Sequence, residues 1–318
     1  MAGPGTPAVS VVTPAYNAES TIAETIASLR AQTLADWEQV VCDDGSTDGT
    51  LAAVAAVDDR RIRVVRGDHR GQSAAQNRAF AQCRADLVLF LDADDVLLPD
   101  ALARLAAALA AAPDACAAYG DAVTMKADGT SYGRPPMAGG RLSARPSGDV
   151  LEPLLVRDFV PSGGFLVRAA AFAAAGGFAE DLRMAQDWEM RCRLALRGPF
   201  RFIGPGPVLR HRARPDSVSR GLGARVESHL EAIERVFANP AVAARFAPRR
   251  LAALRRRRLG SSHAFIGTEA VRQRDYVTAR RHLWRALVLG DRRAPVMALA
   301  LCAALGWVPP LARRQFEV

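Results

Sequence analysis

The stretch Leu87–Asp95, which reads LVLFLDADD, decides the fold class of this chain. Its first five residues are apolar without alternation, which is typical of a parallel strand covered on both faces. Asp92, Asp94 and Asp95 follow at the carboxyl end of that strand. Parallel sheets bind ligands beyond the carboxyl ends of their strands. The stretch therefore predicts an α/β fold with an acidic ligand site at that edge.

Strands and helices alternate on both sides of this stretch. Apolar or β-branched runs predict further strands at Val9–Thr13, Trp37–Cys42, Ile62–Val65 and Ala115–Tyr119. Helical spacing of apolar residues predicts helices at Ala18–Gln32, Thr47–Val57, Gly71–Arg84 and Pro99–Ala112. This alternation predicts a mostly parallel sheet with helices on both faces, within a first domain of residues 1–220.

The remainder of the chain has a different pattern. Short strands are predicted at Phe200–Ile203 and Pro207–His211, and residues 221–318 are predicted to form a basic helical region. Helix breaks are expected near Pro240, Pro248, Gly260 and Gly290. A helical hairpin is expected between residues 263 and 305.

The composition is that of a globular protein, with 50% apolar and 24% charged residues. The five cysteines are an odd number without CxxC spacing, which argues against a disulfide framework and against a cysteine-built zinc site. This usage predicts a cytoplasmic protein. Residues 1–10 hold no basic residue and no long apolar run, so they do not resemble a secretory signal.

Positive charge is concentrated in residues 221–318, which carry 18 basic and 7 acidic residues, whereas residues 1–220 carry 24 and 26. This region includes the run Arg255–Arg258. Three interpretations remain open: a solvated helical face, docking on the anionic inner surface of a membrane, or nucleic-acid binding, which is the least favoured. Three interpretations of the uncharged stretch Ala294–Leu311 are ranked. A packed terminal helix is the first, an interfacial helix the second and a membrane span the last.

The acidic residues at the strand ends indicate a metal and a nucleotide. Asp92 and Asp94, together with phosphate oxygens, are the ligands that Mg²⁺ or Mn²⁺ prefers, although a DxD alone also suits a solvated loop or a helix cap. Asp43 and Asp44 follow another strand and are able to accept hydrogen bonds from a ribose hydroxyl or a base N–H. Tyr16 either stacks on a base or packs as an ordinary loop residue.

Several motifs in one order resemble the inverting family 2 glycosyltransferases of the GT-A fold, a Rossmann-like α/β fold. They are Val9–Asn17 (VSVVTPAYN), Val41–Asp48 (VCDDGSTD), Leu91–Asp95 (LDADD), Gly176–Phe178 (GGF) and Gln186–Glu189 (QDWE), and the similarity covers about residues 8–220. The resemblance implies transfer of a sugar from a UDP-, dTDP- or GDP-sugar to a hydroxyl of a saccharide or lipid-linked acceptor. It also implies Mg²⁺ or Mn²⁺ dependence and a role in bacterial cell-surface polysaccharide synthesis.

The resemblance implies a role for each matching residue. The donor-binding residues would be Thr13, Pro14, Tyr16, Asn17, Asp43, Asp44, Asn77, Arg78, Asp92 and Ala93. The metal ligands would be Asp94 and Asp92, with His211 as a third candidate. The catalytic base would be Asp187, and the acceptor side would include Trp188, Gly163 and Gly164.

Two departures from the family pattern bear on these roles. Position 186 is Gln where the family often has Glu, and Arg214 stands where the family commonly has His, which leaves the role of His211 open. The loop Ser131–Ser147 is either a lid or a surface excursion.

Two other functions stay open. One is a catalytically weak binding protein that is tethered to lipid or nucleic acid by its basic tail. The other is a nucleotidyltransferase, against which the absence of a Gly-rich phosphate loop after the first strand argues.

Overall fold

The computed structural model describes residues 5–130, 145–213 and 224–293, without the side chains of residues 224 and 225. Most of the loop Ser131–Ser147, Arg214 and the stretch Ala294–Leu311 lie outside the described residues. The described residues up to 154, with 158–182 and 186–213, form one compact unit. Residues 155–157 and 183–185 belong with the later part of the chain, from residue 224 onward, to a second unit.

Eight strands of the first unit form one sheet. They are β1 Val9–Ala15, β2 Trp37–Asp43, β3 Ile62–Arg66, β4 Leu87–Phe90, β5 Val96–Leu97, β6 Ala117–Met125, β7 Phe165–Arg168 and β8 Phe200–Arg212. Their spatial order is β3-β2-β1-β4-β7-β6-β8-β5. β3, β2, β1 and β4 are parallel neighbours, β7 is antiparallel to both β4 and β6, β8 is parallel to β6, and β5 is antiparallel to β8. The predicted mostly parallel sheet is thereby confirmed.

The helices complete the architecture. They are α1 Ile22–Arg30, α2 Thr50–Ala55, α3 Gln72–Phe80, α4 Ala101–Ala110, α5 Leu151–Val156, α6 Ala169–Ala175, α7 Gln186–Leu194, α8 Ala224–Ala238, α9 Pro240–Ala243, α10 Pro248–Arg272 and α11 Tyr276–Val288. α4 shows why these segments are helical, because Leu102, Leu105 and Leu109 recur at helical spacing and are all buried in the core beside β1 and β4. Within the described ranges, no helix is both long enough and apolar enough to cross a bilayer.

The structure corrects three expectations about the elements. β8 is one strand of 13 residues rather than two, because β6 continues to pair with it beyond a local register shift near Asp121. The two-residue strand β5 was not expected, since Val96 and Leu97 are too few to give a periodic signal. The predicted break near Gly260 is wrong, because α10 runs through it without interruption.

α10 and α11 form a helical hairpin in the second unit. The hairpin begins with α10 at Pro248, earlier than the expected residue 263. Its core contains Ala264, Ala279 and Leu283. A Cβ atom at Gly267 would lie 2.6 Å from the Cγ atom of Leu283, so only glycine permits this close approach of the two helices.

Two buried histidines meet inside this hairpin. The Nδ1 atoms of His263 and His282 are 2.9 Å apart, so one ring donates its Nδ1–H and the other accepts it. Burial, together with the charges of His282 and Arg285, lowers the pKa of His263 to about 4. Burial also lowers the pKa of His282, with added effects of Arg285 and Arg281.

We expect acid to destabilise this hairpin. Because the folded-state pKa lies below the unfolded value of about 6.5, the unfolded chain binds more protons in this window, and stability is lost as pH falls from about 6.5 towards 4. Calorimetry of the full chain follows the unfolding transition that includes the hairpin. Its Tm should fall by at least about 4 °C between about pH 7.5 and pH 5, which corresponds to a loss of about 1 kcal/mol in the free energy of unfolding. The double variant His263→Leu/His282→Leu should reduce this fall, and an unchanged pH dependence in that variant would contradict the assignment.

Candidate functional site

The candidate site lies at the edge where β2, β1 and β4 end. These three strands are adjacent and parallel, so the residues that follow them share one edge of the sheet. Tyr16 follows β1, Asp44 follows β2 and Asp92 follows the apolar run of β4. β7 runs antiparallel beside β4, which brings the segment before Phe165 to the same edge.

Asp44 anchors the loop between β3 and α3. Its Oδ2 atom accepts a hydrogen bond from the Gly71 N–H at 2.7 Å, and its Oδ1 atom accepts one from the Arg70 N–H at 3.2 Å. Its carbonyl oxygen lies 3.0 Å from Nδ1 of His69. Asp44 is buried, and Asp43 beside it accepts from the Ser46 N–H at 3.3 Å. Both carboxylates thus have fixed positions at the edge.

An aromatic surface stands above Asp44. The Tyr16 and His69 rings are 4.7 Å apart, and Tyr16 is 49% exposed although it is large and aromatic. A half-exposed aromatic pair beside hydrogen-bonding carboxylates has the shape and chemistry to receive a nucleotide base. Sequence reasoning missed His69, although it follows β3 at the same edge and the strand-end rule would have found it.

Asn17 joins the loops after β1 and β2 rather than pointing a free amide into the site. Its Oδ1 atom accepts from the Thr47 N–H at 2.9 Å, and its own N–H donates to Oγ of Ser46 at 3.0 Å. Pro14 lies within β1 and is only partly buried. Thr13 is fully buried, and its hydroxyl accepts from Nε2 of Gln39 at 2.9 Å, so its side chain does not reach the site surface.

Asp92 stands at the centre of an acidic cluster. Its Oδ1 atom accepts from Nε2 of Gln72 at 2.8 Å. Since Gly71, the neighbour of Gln72, binds Asp44, residues 71 and 72 connect Asp92 with Asp44. Burial raises the pKa of Asp92 well above its usual value. Three other carboxylates raise this pKa further, those of Asp95, Asp94 and Asp187.

Asp95 fixes the turn that carries the cluster. It is buried, and its carboxylate accepts from the Arg212 N–H at 2.9 Å and contacts Nδ1 of His211 at 3.1 Å. Burial opposes the protonation of His211, but the hydrogen bond and charge of Asp95 raise the pKa of His211 to about 9. The contact uses Nδ1 and leaves Nε2 as the ring nitrogen that a metal would bind, an arrangement common around metal-ligating histidines, so the role of His211 as a third ligand stays a prediction.

The cluster fits a divalent cation that is shared with a ligand. In the described part of the chain, no three His, Cys, Asp or Glu side chains are arranged to hold a metal ion by themselves. Burial is the largest cause of the raised pKa of Asp92, and the neighbouring carboxylates add negative charge that a cation would offset. One or two carboxylates plus phosphate oxygens are the usual protein setting of Mg²⁺. Asp92 and Asp94 are therefore suited to hold a cation with a diphosphate.

Asp187 lies in the first turn of α7, within electrostatic reach of Asp92. Its Oδ2 atom accepts from the Ser162 hydroxyl at 2.6 Å. Ser162 in turn accepts from a guanidinium nitrogen of Arg191 at 2.9 Å, and Arg191 pairs with Asp158 at 2.7 Å. Arg191 is buried, so this series of contacts is held inside the protein. Ser162, Arg191 and Asp158 were missed, because they act through Asp187 and match no motif.

The residues predicted on the acceptor side are structural. Trp188 is buried, and its indole N–H donates to the Leu154 carbonyl oxygen at 2.7 Å. Gly163 and Gly164 are buried as well, and a Cβ atom at Gly163 would lie 2.8 Å from Cδ1 of Leu209. Their side of the chain faces the core, where space is too small for a larger residue. Ala93 likewise packs its methyl group in a core cluster rather than facing a ligand.

Asn77 and Arg78 lie on α3 with separate partners. The Asn77 side chain donates to the Phe178 carbonyl oxygen at 2.9 Å and accepts from the Phe178 N–H at 2.9 Å. Arg78 donates to the Arg66 carbonyl oxygen at 3.1 Å and pairs with Asp68. Both residues line a cavity of about 330 Å³ together with Asp44, Asp68, Arg70, Ala74, Ala75 and Glu180. The structure thus brings these predicted residues to the same cavity as Asp44, while Asn77 also closes a turn.

Comparisons with known proteins identify the family and the fold of the chain. Residues 10–168 match the family model described as Glycosyl transferase family 2. The O-antigen biosynthesis protein RfbC of Myxococcus xanthus is 36% identical over 198 residues, which are 59% of this chain and 14% of that protein. This chain therefore corresponds to a small part of that relative.

Two solved structures have a similar fold. TarS of S. aureus, in complex with UDP-GlcNAc, has a TM-score of 0.65 at 18% identity, over 93% of this chain and 87% of that one. The mannosyltransferase PcManGT of Pyrobaculum calidifontis, in complex with GDP-Man and Mn²⁺, has a TM-score of 0.56 at 22% identity, over 99% and 85% of the two chains. At these identities the likeness concerns the fold.

We expect Asn77→Ala to destabilise the first unit. The change leaves the N–H and the carbonyl oxygen of Phe178 without their present partners, which costs about 2 kcal/mol. Urea unfolding should show this loss as a lower midpoint with an unchanged slope. Arg78→Ala on the same helix is the matched control and should cost less than about 1 kcal/mol, because its ion pair is exposed. Equal stability of the two variants would contradict the structural role of Asn77.

Proposed function

This chain belongs to glycosyl transferase family 2, and from that premise we propose that it transfers a sugar from a nucleotide-diphosphate donor to an acceptor hydroxyl with inversion of configuration. The observation that carries the proposal is the convergence of acidic side chains at one edge of the sheet. Asp44 and Asp92 are connected through residues 71 and 72, and Asp187 lies within electrostatic reach of Asp92.

The nucleotide of the donor binds at the ends of β1 and β2 in this proposal. Tyr16 and His69 would receive the base, and the remaining acceptor sites of Asp43 and Asp44 would bind base N–H or ribose hydroxyl groups. Arg70 and Arg78 line the adjoining cavity, where they are paired with Glu180 and Asp68, and a donor phosphate that binds there would replace these partners. TarS and PcManGT were solved with UDP-GlcNAc and GDP-Man, which supports a nucleotide-sugar as the donor.

The diphosphate of the donor would be held at Asp92 and Asp94 with Mg²⁺ or Mn²⁺. Mn²⁺ is present in the solved PcManGT complex, which supports a divalent cation here. Such a cation, when bound, offsets the negative charge that develops on the leaving nucleoside diphosphate. Asp92 and Asp94 contribute oxygen ligands, and Asp95 keeps their turn in place through Arg212 and His211.

Asp187 is proposed as the general base. Its Oδ2 atom is occupied by the Ser162 hydroxyl, so Oδ1 is the atom available to accept the proton of the acceptor hydroxyl. Direct displacement by that hydroxyl inverts the anomeric carbon and needs no second carboxylate as nucleophile. Gln186, in place of the acid common in the family, leaves this role with Asp187 alone.

The acceptor is proposed to be a saccharide or a lipid-linked saccharide of a bacterial cell-surface polysaccharide. Support comes from RfbC, which is an O-antigen biosynthesis protein. We place the reaction in the cytoplasm, which is supported by Cys42, Cys83, Cys116 and Cys192 being free in the described residues.

A panel of nucleotide-sugars with Mn²⁺ tests the proposed function. The unaltered chain should release a nucleoside diphosphate from at least one donor and transfer the sugar to an acceptor. Asp187→Asn should lower kcat at least about 100-fold and keep donor binding in calorimetry, because the donor does not depend on the base. Asp94→Ala should lose both turnover and Mn²⁺-dependent donor binding.

Asp58→Asn is the matched control for these variants. It changes an exposed acid remote from the site and should leave turnover unchanged. Full activity of Asp94→Ala or Asp187→Asn would overturn the assignment. Release of pyrophosphate would instead indicate a nucleotidyltransferase, and inactivity on the whole panel would indicate a binding protein.

Ser162→Ala should reveal a positioning role for this hydroxyl. The variant removes the hydrogen bond to Oδ2 of Asp187 and leaves only the 3.8 Å ion pair with Arg191, so the base loses its fixed orientation. We expect kcat to fall about 10-fold while KM for the donor stays unchanged. Ser162→Thr, which retains the hydroxyl, should recover part of the rate. An unchanged kcat in Ser162→Ala, or no recovery of rate in Ser162→Thr, would contradict this role.

A further inference from the structure

The outward side of α11 carries an unusual row of apolar residues. Val277, Trp284 and Val288 are 64%, 65% and 64% exposed, although all three are large and hydrophobic. Together with Arg281 they recur at intervals of four, three and four residues, so they form a single stripe along the helix. We call these four residues the α11 outer face.

The opposite side of α11 is fully used by the hairpin. Ala279, Leu283 and Ala286 are buried in the core shared with α10. The exposure of the α11 outer face therefore does not arise from a helix that lacks a core. Single exposed apolar residues are common on protein surfaces, but three that adjoin on one helix indicate a surface with a partner.

Positive charge surrounds this apolar stripe. Arg280 and Arg285 flank it on either side in the helical projection and are exposed, and Arg281 lies within it. The segment Tyr276–Val288 contains no acidic residue. An apolar stripe bordered by arginines, with a tryptophan at its centre, is the pattern of a helix that lies in the interface of an anionic bilayer.

We propose that the α11 outer face docks on the surface of a lipid bilayer that contains anionic lipids. α11, with 13 residues, lies parallel to the surface. Trp284, Val277 and Val288 enter the boundary between headgroups and acyl chains, and the arginines bind lipid phosphates. The inference goes beyond the proposed function and does not depend on it.

Charge argues against two other occupants. A second copy of this chain would bring Arg281 of one molecule against the same cationic surface of the other, where like charges repel. A nucleic acid would bind the arginines but would offer no apolar medium to the two valines. Both remain outcomes that the experiment detects.

Sedimentation of the full chain with vesicles tests the proposal. Vesicles of phosphatidylcholine with about 30 mol % phosphatidylglycerol should bind the protein, whereas pure phosphatidylcholine should bind it much less. The variant Arg280→Gln/Arg281→Gln/Arg285→Gln should lower the partition coefficient about 100-fold. Trp284→Ala should lower it about 10-fold. The control Arg60→Gln/Arg197→Gln/Arg201→Gln removes the same charge from exposed positions of the first unit and should bind normally.

Tryptophan fluorescence gives a second measurement, which requires only conservative substitutions. Brominated lipids should quench the tryptophan emission of a chain that carries Trp307→Phe, so that Trp307 does not contribute to the signal. Adding Trp284→Phe should remove that quenching while binding is kept, because phenylalanine is also apolar. Trp37 and Trp188 are buried, so they contribute little to this quenching.

Three results would overturn the proposal. The first is equal binding by the α11 arginine variant and its control, which would assign binding to another segment such as residues 294–318. The second is a dimer that Trp284→Ala dissociates. The third is tight binding to a short DNA duplex, without binding to anionic vesicles, that the α11 arginine variant abolishes.

Discussion

The buried carboxylate of Asp95 is the constraint on which the acidic edge depends. Four acids stand close together there, and their mutual repulsion would open the turn after β4 if nothing held it. Asp95 accepts the Arg212 N–H and contacts His211, while the Arg212 side chain donates to the Asp94 carbonyl oxygen at 3.0 Å and to that of Ala127 at 2.8 Å. Residues of β8 thus fix the turn from outside the acidic cluster, and Asp92 and Asp94 can remain at the edge.

The same arrangement recurs around Asp187. A buried cation, Arg191, is balanced by Asp158 and reaches the carboxylate of Asp187 both through the Ser162 hydroxyl and by a direct ion pair of 3.8 Å. In both places a charged group that is removed from solvent is paired with an opposite charge and orients a second group, which faces the site. Buried charges are tolerated only with such partners. The cost of burial therefore explains why the supporting residues are as specific as the acids themselves.

Much of this could be predicted from the sequence. The family resemblance and the GT-A-like sheet are confirmed, because apolar runs and strand-end acids depend only on local order along the chain. The residues that were missed or misplaced depend on distant partners. Asp95 acquires its role from His211, and Trp188 is buried because its N–H reaches Leu154. No local pattern records such pairings, and the continuity of α10 through Gly260 likewise follows from its packing in the hairpin.

The loops after β1 and β2 are bound to each other by several short hydrogen bonds. Asn17 contacts Ser46 and Thr47, the Ala18 N–H donates to Oγ1 of Thr50 at 2.8 Å, and Glu19 accepts from the Gly49 N–H at 3.0 Å. These hydrogen bonds are made by the protein alone, so the two loops have their shape before any ligand binds. A ligand that binds here would therefore pay little entropy for ordering the backbone of these two loops. Its selection would depend on how well it fits their fixed shape rather than on a change of loop conformation.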